Sequence, residues 1–129
     1  MRDIRNNLDG VNSIVPNSYT ASTNGSGIDL QGYDGAMILF QAGTVDTGSG
    51  NETYSPSVEE SDDNSTFSAV SASDLEGSLA NMTANSVQRV GYKGARRYLR
   101  AVLTLGGTTP SIDAAVLVVR GLPHQSPLA

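Results

Sequence analysis

Glu59, Glu60, Asp62 and Asp63 form the densest group of side chains able to do chemistry in this chain of 129 residues. Tandem carboxylates can hold a hard cation through oxygen ligands. Their spacing is not that of an Asp-x-Asp-x-Asn-Gly loop, however, and neighbours in an extended segment point to opposite faces. The reading favoured here is a solvated hairpin turn. Glycoside hydrolysis would need two carboxyl groups facing each other across a cleft, and a chain with only 5% aromatic residues offers little to line one. His124 is the single histidine. Without a second imidazole it cannot build the usual zinc site. No Gly-x-Ser-x-Gly elbow accompanies it, so a hydrolytic triad is not expected either. The glycine-rich Thr47–Asn51 stretch lacks the Gly-Lys-Ser/Thr ending of a phosphate loop. These residues predict no enzyme, no bound metal and no cofactor.

The charged feature with the most specific pattern is basic. Five of the eight Lys and Arg residues lie between Arg89 and Arg100, whereas Asp29 to Glu76 contains none. Arginine suits interface ion pairs because its planar fork is bidentate and weakly hydrated. Two readings of the strip stand side by side. It is either a solvated sheet face, its arginine stems covering apolar neighbours, or an intersubunit patch. In the second case Arg96, Arg97 and Arg100, with Tyr98, would meet the Glu59, Glu60, Asp62 and Asp63 carboxylates of a neighbouring copy. The net charge of −5 opposes non-specific phosphate binding, so nucleic acid is not an expected partner. No run of apolar residues is long enough for a membrane helix. The opening residues lack an apolar h-region, so no secretory signal is expected. With no Cys there are no disulfides and no thiolate sites.

Short strands must position these groups. Fourteen glycines, with many Ser, Thr and Asn and a hydrophobic fraction of only 38%, are the composition of strands joined by many turns. Residues 1–26 are polar and aperiodic, and read as a flexible N-terminal arm; Ile14 and Val15 would anchor it on a neighbouring subunit. Asn24 to Gly27 marks a turn. Ile28–Tyr33 alternates like a half-buried strand, and Asp34-Gly35 carries a tight-turn signal. Ala36–Ala42 is a continuous apolar run, best placed as a central strand covered on both faces. In Arg96–Leu105 one face carries Leu99, Ala101, Leu103 and Leu105, and the other carries Arg96, Tyr98, Arg100, Val102 and Thr104. Two apolar runs within Tyr98–Arg120 flank a Gly106–Pro110 connector and predict a hairpin or two neighbouring strands of one sheet. Pro123 and Pro127 should end the ladder. The expected fold is all-β: a single β-sandwich of jelly-roll or Greek-key type over residues 27–129, with an extended N-terminal arm over 1–26.

Two stretches carry a family resemblance. Glu60-Ser-Asp-Asp-Asn-Ser-Thr-Phe67-Ser-Ala-Val70 resembles a turn in small virion proteins of tailed bacteriophages and prophages. Val90-Gly-Tyr-Lys-Gly-Ala-Arg-Arg-Tyr-Leu-Arg100, with the apolar strand after it and the terminal Val-Leu-Val-Val-Arg-Gly-Leu-Pro-His124, resembles the C-terminal half of the same group. The resemblance spans Asp29 to His124. It implies a structural component of a phage head of the decoration or cement type. Such a protein is made in the host bacterial cytoplasm, forms a homotrimer and binds the major capsid protein in the virion. Head-fibre, neck and tail components are similar too, and a lectin-like carbohydrate-binding sandwich is the alternative of another class.

Overall fold

The computed structural model describes residues 3–124. The strands in chain order are β1 (Asp9–Tyr19), β2 (Thr23–Asn24), β3 (Ile28–Asp29), β4 (Tyr33–Val45), β5 (Thr53–Ser61), β6 (Ser68–Ala69), β7 (Leu75–Glu76), β8 (Ser86–Tyr92), β9 (Tyr98–Gly106) and β10 (Ile112–Pro123). A 3-10 turn at Ala72–Asp74 precedes β7. One sheet has the order β1-β10-β4-β8-β7; the other has the order β2-β9-β5-β6, with β3 also on β9. All the pairings are antiparallel. Most connections cross from one sheet to the other, which is the winding of a jelly roll.

The sandwich forms because inward positions recur with period two in both sheets. Ile38, Phe40 and Ala42 of β4 and Ala114, Val116 and Val118 of β10 face Tyr54, Val58, Leu99, Ala101 and Leu103 of the other sheet in one buried cluster. The leucine face expected for the Arg96–Leu105 stretch is therefore the core face of β9, with Leu99, Ala101 and Leu103 all at 0% exposure.

Several expectations are corrected. Tyr98–Arg120 is neither a hairpin nor a pair of neighbouring strands: β9 and β10 lie in opposite sheets. The Gly107–Ser111 connector has to bridge the gap of about 10 Å between stacked sheets, and Tyr54 anchors its far end. Buried in the core, Tyr54 donates its hydroxyl hydrogen to the carbonyl of Asp46 (2.5 Å) and accepts the N–H of Ser111 (3.0 Å). Gly107 is required within the connector, because its φ of +94° is left-handed and an added Cβ would lie 2.5 Å from the Asn51 carbonyl oxygen. Asp34-Gly35 lies within β4, and the turn falls at Gln31-Gly32, where Gly32 supplies a φ of +93°. Pro123 is the last residue of β10, opposite Tyr33, while Pro127 lies outside the described residues. β4 is central, between β10 and β8, but only its inner face is buried.

The largest correction concerns the N-terminus. Residues 9–19 are not a separate arm but the edge strand β1, paired along β10 from Asp9↔Arg120 to Tyr19↔Ile112. Register shifts on either side of Ile14 break the period and turn Ser13 and Ile14, two successive residues, into the interior. Ile14, at 2% exposure, belongs to the core and is no interface anchor, whereas Val15 beside it is 57% exposed. Ser13 locks the strand to the opposite sheet. Its Oγ donates to the carbonyl of Ser26 and accepts the N–H of Ala101, both at 2.9 Å. Gly25 lies under this lock, where an added Cβ would lie 2.8 Å from the Ala101 carbonyl oxygen.

Candidate functional site: the charged end of the sandwich

The predicted interface residues do gather, and their partners lie in the same chain. Register sets the first pair: Glu59 of β5 lies opposite Arg100 of β9. Arg100 Nε donates to Glu59 Oε1 at 2.8 Å, and its terminal nitrogen lies 2.5 Å from the same oxygen. Both side chains are more than two-thirds shielded from water, and the guanidinium sits 4.1 Å from the centre of the Phe67 ring. Arg96 pairs with Asp62. Arg97 grips Asp29 with both arms of its fork, Nε to Oδ1 at 2.9 Å and a terminal nitrogen to Oδ2 at 2.8 Å, while its guanidinium lies over Tyr98. Arg96, Arg97 and Arg100 thus each have a carboxylate partner within one copy. The strip is also divided: Arg89 stands on β8 in the first sheet, away from Arg100 on β9 in the second.

The acidic turn has a structural task. Asp63 Oδ1 accepts from Ser61 Oγ and from the backbone N–H groups of Ser65 and Thr66, each at 2.9 Å. Ser61, itself buried, accepts in turn from the N–H groups of Asp63 and Asn64. Asn64 turns the chain in the left-handed region at φ 59°. These donors, the Thr66 and Ser65 amides foremost, hold the Asp63 carboxyl down at about 2. Glu60 ties the two sheets together by accepting the Tyr92 hydroxyl at 2.7 Å. Burial of Tyr92, and then this carboxylate, raise the hydroxyl above the usual tyrosine value. Each of the four carboxylates therefore has its own partners. Among the described residues, no three acidic or histidine side chains converge on a point where a metal could sit. His124 faces Asp34 at 2.8 Å on an exposed rim.

Sequence reasoning missed Arg120. It closes this end of the first sheet, pairing with Asp9 of β1, donating to the Asp29 carbonyl at 2.9 Å and stacking 4.6 Å from the Tyr33 ring centre. The available signal is an arginine ending the apolar run of β10, in a register opposite Asp9.

The Arg97–Asp29 pair makes a prediction. Hydrogen bonding by Arg97 holds the Asp29 carboxyl at about 2, below its ordinary 3.8. A depressed carboxyl pKa contributes stability above the unfolded value and loses it as pH falls through the folded one. Asp29 and Asp63 should therefore give the protein an acid loss of stability between pH 3.8 and about 2. Denaturant midpoints measured across that window are expected to fall less steeply in Asp29→Asn/Asp63→Asn than in the parent. Equal slopes would mean that neither carboxylate couples to folding.

No protein-family model matches the chain, and no curated protein matches it in sequence. Among solved structures, the SPBc2 prophage-derived protein YomS is similar, with a TM-score of 0.50 over 88% of this chain and 93% of that one. The identity is 12%, so the likeness is one of fold, and it extends over nearly the whole of both chains.

Proposed function

We propose that this chain is a non-enzymatic structural protein of a phage particle, one that binds as an oligomer to the major capsid shell and stabilises it. The observation that carries the reading is the fold shared with a prophage-derived protein across nearly all of both chains. The turn and arginine stretches that resemble small virion proteins add to it. The fixed ion pairs of the charged end also favour binding over chemistry, because each carboxylate is committed to an arginine, a hydroxyl or backbone amides. A protein that binds only the assembled shell stabilises it by mass action. The test is to induce phage particles in a cell that encodes the chain, purify them on a density gradient and probe for it. It is expected to co-sediment with DNA-filled heads, and particles lacking it should release DNA at a lower temperature. A chain that stays wholly at the top of the gradient would sink the proposal.

A further inference from the structure

The two sheets differ on their outer faces. On the second sheet the outward positions include Ser55, Ser57, Glu59, Arg100 and Thr104, the polar side expected where a sheet meets water. Val102 interrupts this face and is itself buried. On the first sheet the outward positions alternate with buried Ile38, Phe40, Val116 and Val118; Met37, Leu39, Ala115, Leu117 and Val119 form an apolar strip among them, with exposed Gln41 beside Ala115 at one end. Register places Leu117 beside Leu39 and Val119 beside Met37. Gly10 and Gly91 flank the second of these pairs and leave it flush. At one end the strip runs into an apolar groove of about 560 Å³. Leu122 at its lip is 69% exposed and held at φ 51°, a backbone region that disfavours such a side chain.

Near-continuous apolar runs such as Ala36–Phe40 and Ala114–Val119 belong to strands covered on both faces, and one copy of this chain covers only one. We propose that the outer face of the first sheet is the contact surface between two copies of the protein, packed sheet to sheet. Its size fits that occupant. The five strands hold 11, 12, 13, 7 and 2 residues, and at about 4.8 Å by about 3.4 Å per residue they offer on the order of 700 Å². A standard interface uses about 800 Å² per partner. Polar groups stand at the margins of the strip, as in an interface with an apolar centre. Arg89 is exposed with no partner among the described residues, and Asp113 is an exposed carboxylate. A two-fold contact presents both charges twice, once from each copy. Such a contact closes as a pair, in place of the trimer that the family resemblance implies. It stands whether or not the protein belongs to a phage particle.

Light scattering on the full chain, over a wide concentration range, is the test. The expected result is a particle of twice the 13.4 kDa chain mass. Leu117→Lys should return it to the single-chain mass with its far-ultraviolet circular dichroism unchanged, while Ser57→Lys on the other sheet leaves the pair intact. Should Leu117→Lys fail to fold, Leu122→Ser at the exposed lip is expected to weaken the pair at least tenfold. A parent chain that is monomeric throughout or trimeric would overturn the proposal. So would a pair that persists in folded Leu117→Lys, or one unweakened by Leu122→Ser.

Discussion

Replacing Phe40 with alanine is expected to remove about 3–5 kcal/mol of folding free energy, the range for deleting a fully buried aromatic ring. Phe40 has no exposed surface and lies at the middle of β4, opposite Val116 on one side and Gln88 on the other. Both neighbouring strands are held in register over several further pairs, so the walls of the cavity cannot collapse into it. Against the 5–15 kcal/mol of a typical domain, that loss is a large share. Leu39, one residue away, provides the contrast. Its side chain points to the outer face and is only partly buried, so Leu39→Ala should shift the chain's own stability by a small fraction of that amount. The loss it causes should instead depend on protein concentration, as expected for a residue whose burial is completed by another copy. Guanidinium denaturation at two concentrations separates the cases. A Phe40→Ala midpoint within experimental error of the parent's would show that the core is not centred on this ring.

That contrast marks what the sequence could and could not disclose. Leu99, Ala101 and Leu103 alternate with polar residues, so their burial was legible from period two alone. The apolar run through Phe40 correctly indicated a central strand. It also implied cover on both faces, which a single chain does not provide. The placement of β9 and β10 in opposite sheets was not legible, because both strands show the same apolar character whether they pair together or face each other across a core. The charged end was legible as a set of residues and not as a set of pairs. Arg97 lies 68 residues from Asp29, and Arg100 lies 41 from Glu59. Spacings of that size say nothing about whether partners belong to one chain or two. Arg120 gave less signal still, because its role rests on a register with Asp9 that only the folded sheet defines.

Deleting residues 1–20 is expected to abolish cooperative folding, the outcome opposite to the one a dispensable arm would give. The polar composition of this segment hides how much of it is built in. β1 covers the edge of β10 along most of its length, and without it β10 presents a long unpaired edge, the usual template for aggregation. The core loses Ile14 outright, and Val11 and Tyr19, which pack against it, leave with it. Removing a buried Ile side chain costs about 2–5 kcal/mol by itself. Two backbone groups also lose their partner when Ser13 goes: the N–H of Ala101 and the carbonyl of Ser26. A buried polar group left unsatisfied costs about 1–3 kcal/mol, so the terms together approach the whole stability of a domain of this size. Arg120 would in addition lose Asp9 while its Nε is already buried without a partner among the described residues. Ser13→Ala isolates one part of this: a loss of about 1–3 kcal/mol with the strand still present, chiefly from the buried Ala101 N–H. The truncated chain should accumulate in aggregates, or remain soluble without a sigmoidal thermal transition. A truncated protein that melts cooperatively within a few degrees of the parent would return residues 1–20 to the status of an appendage, and with it would go the claim that Ser13 fastens the first sheet to the second.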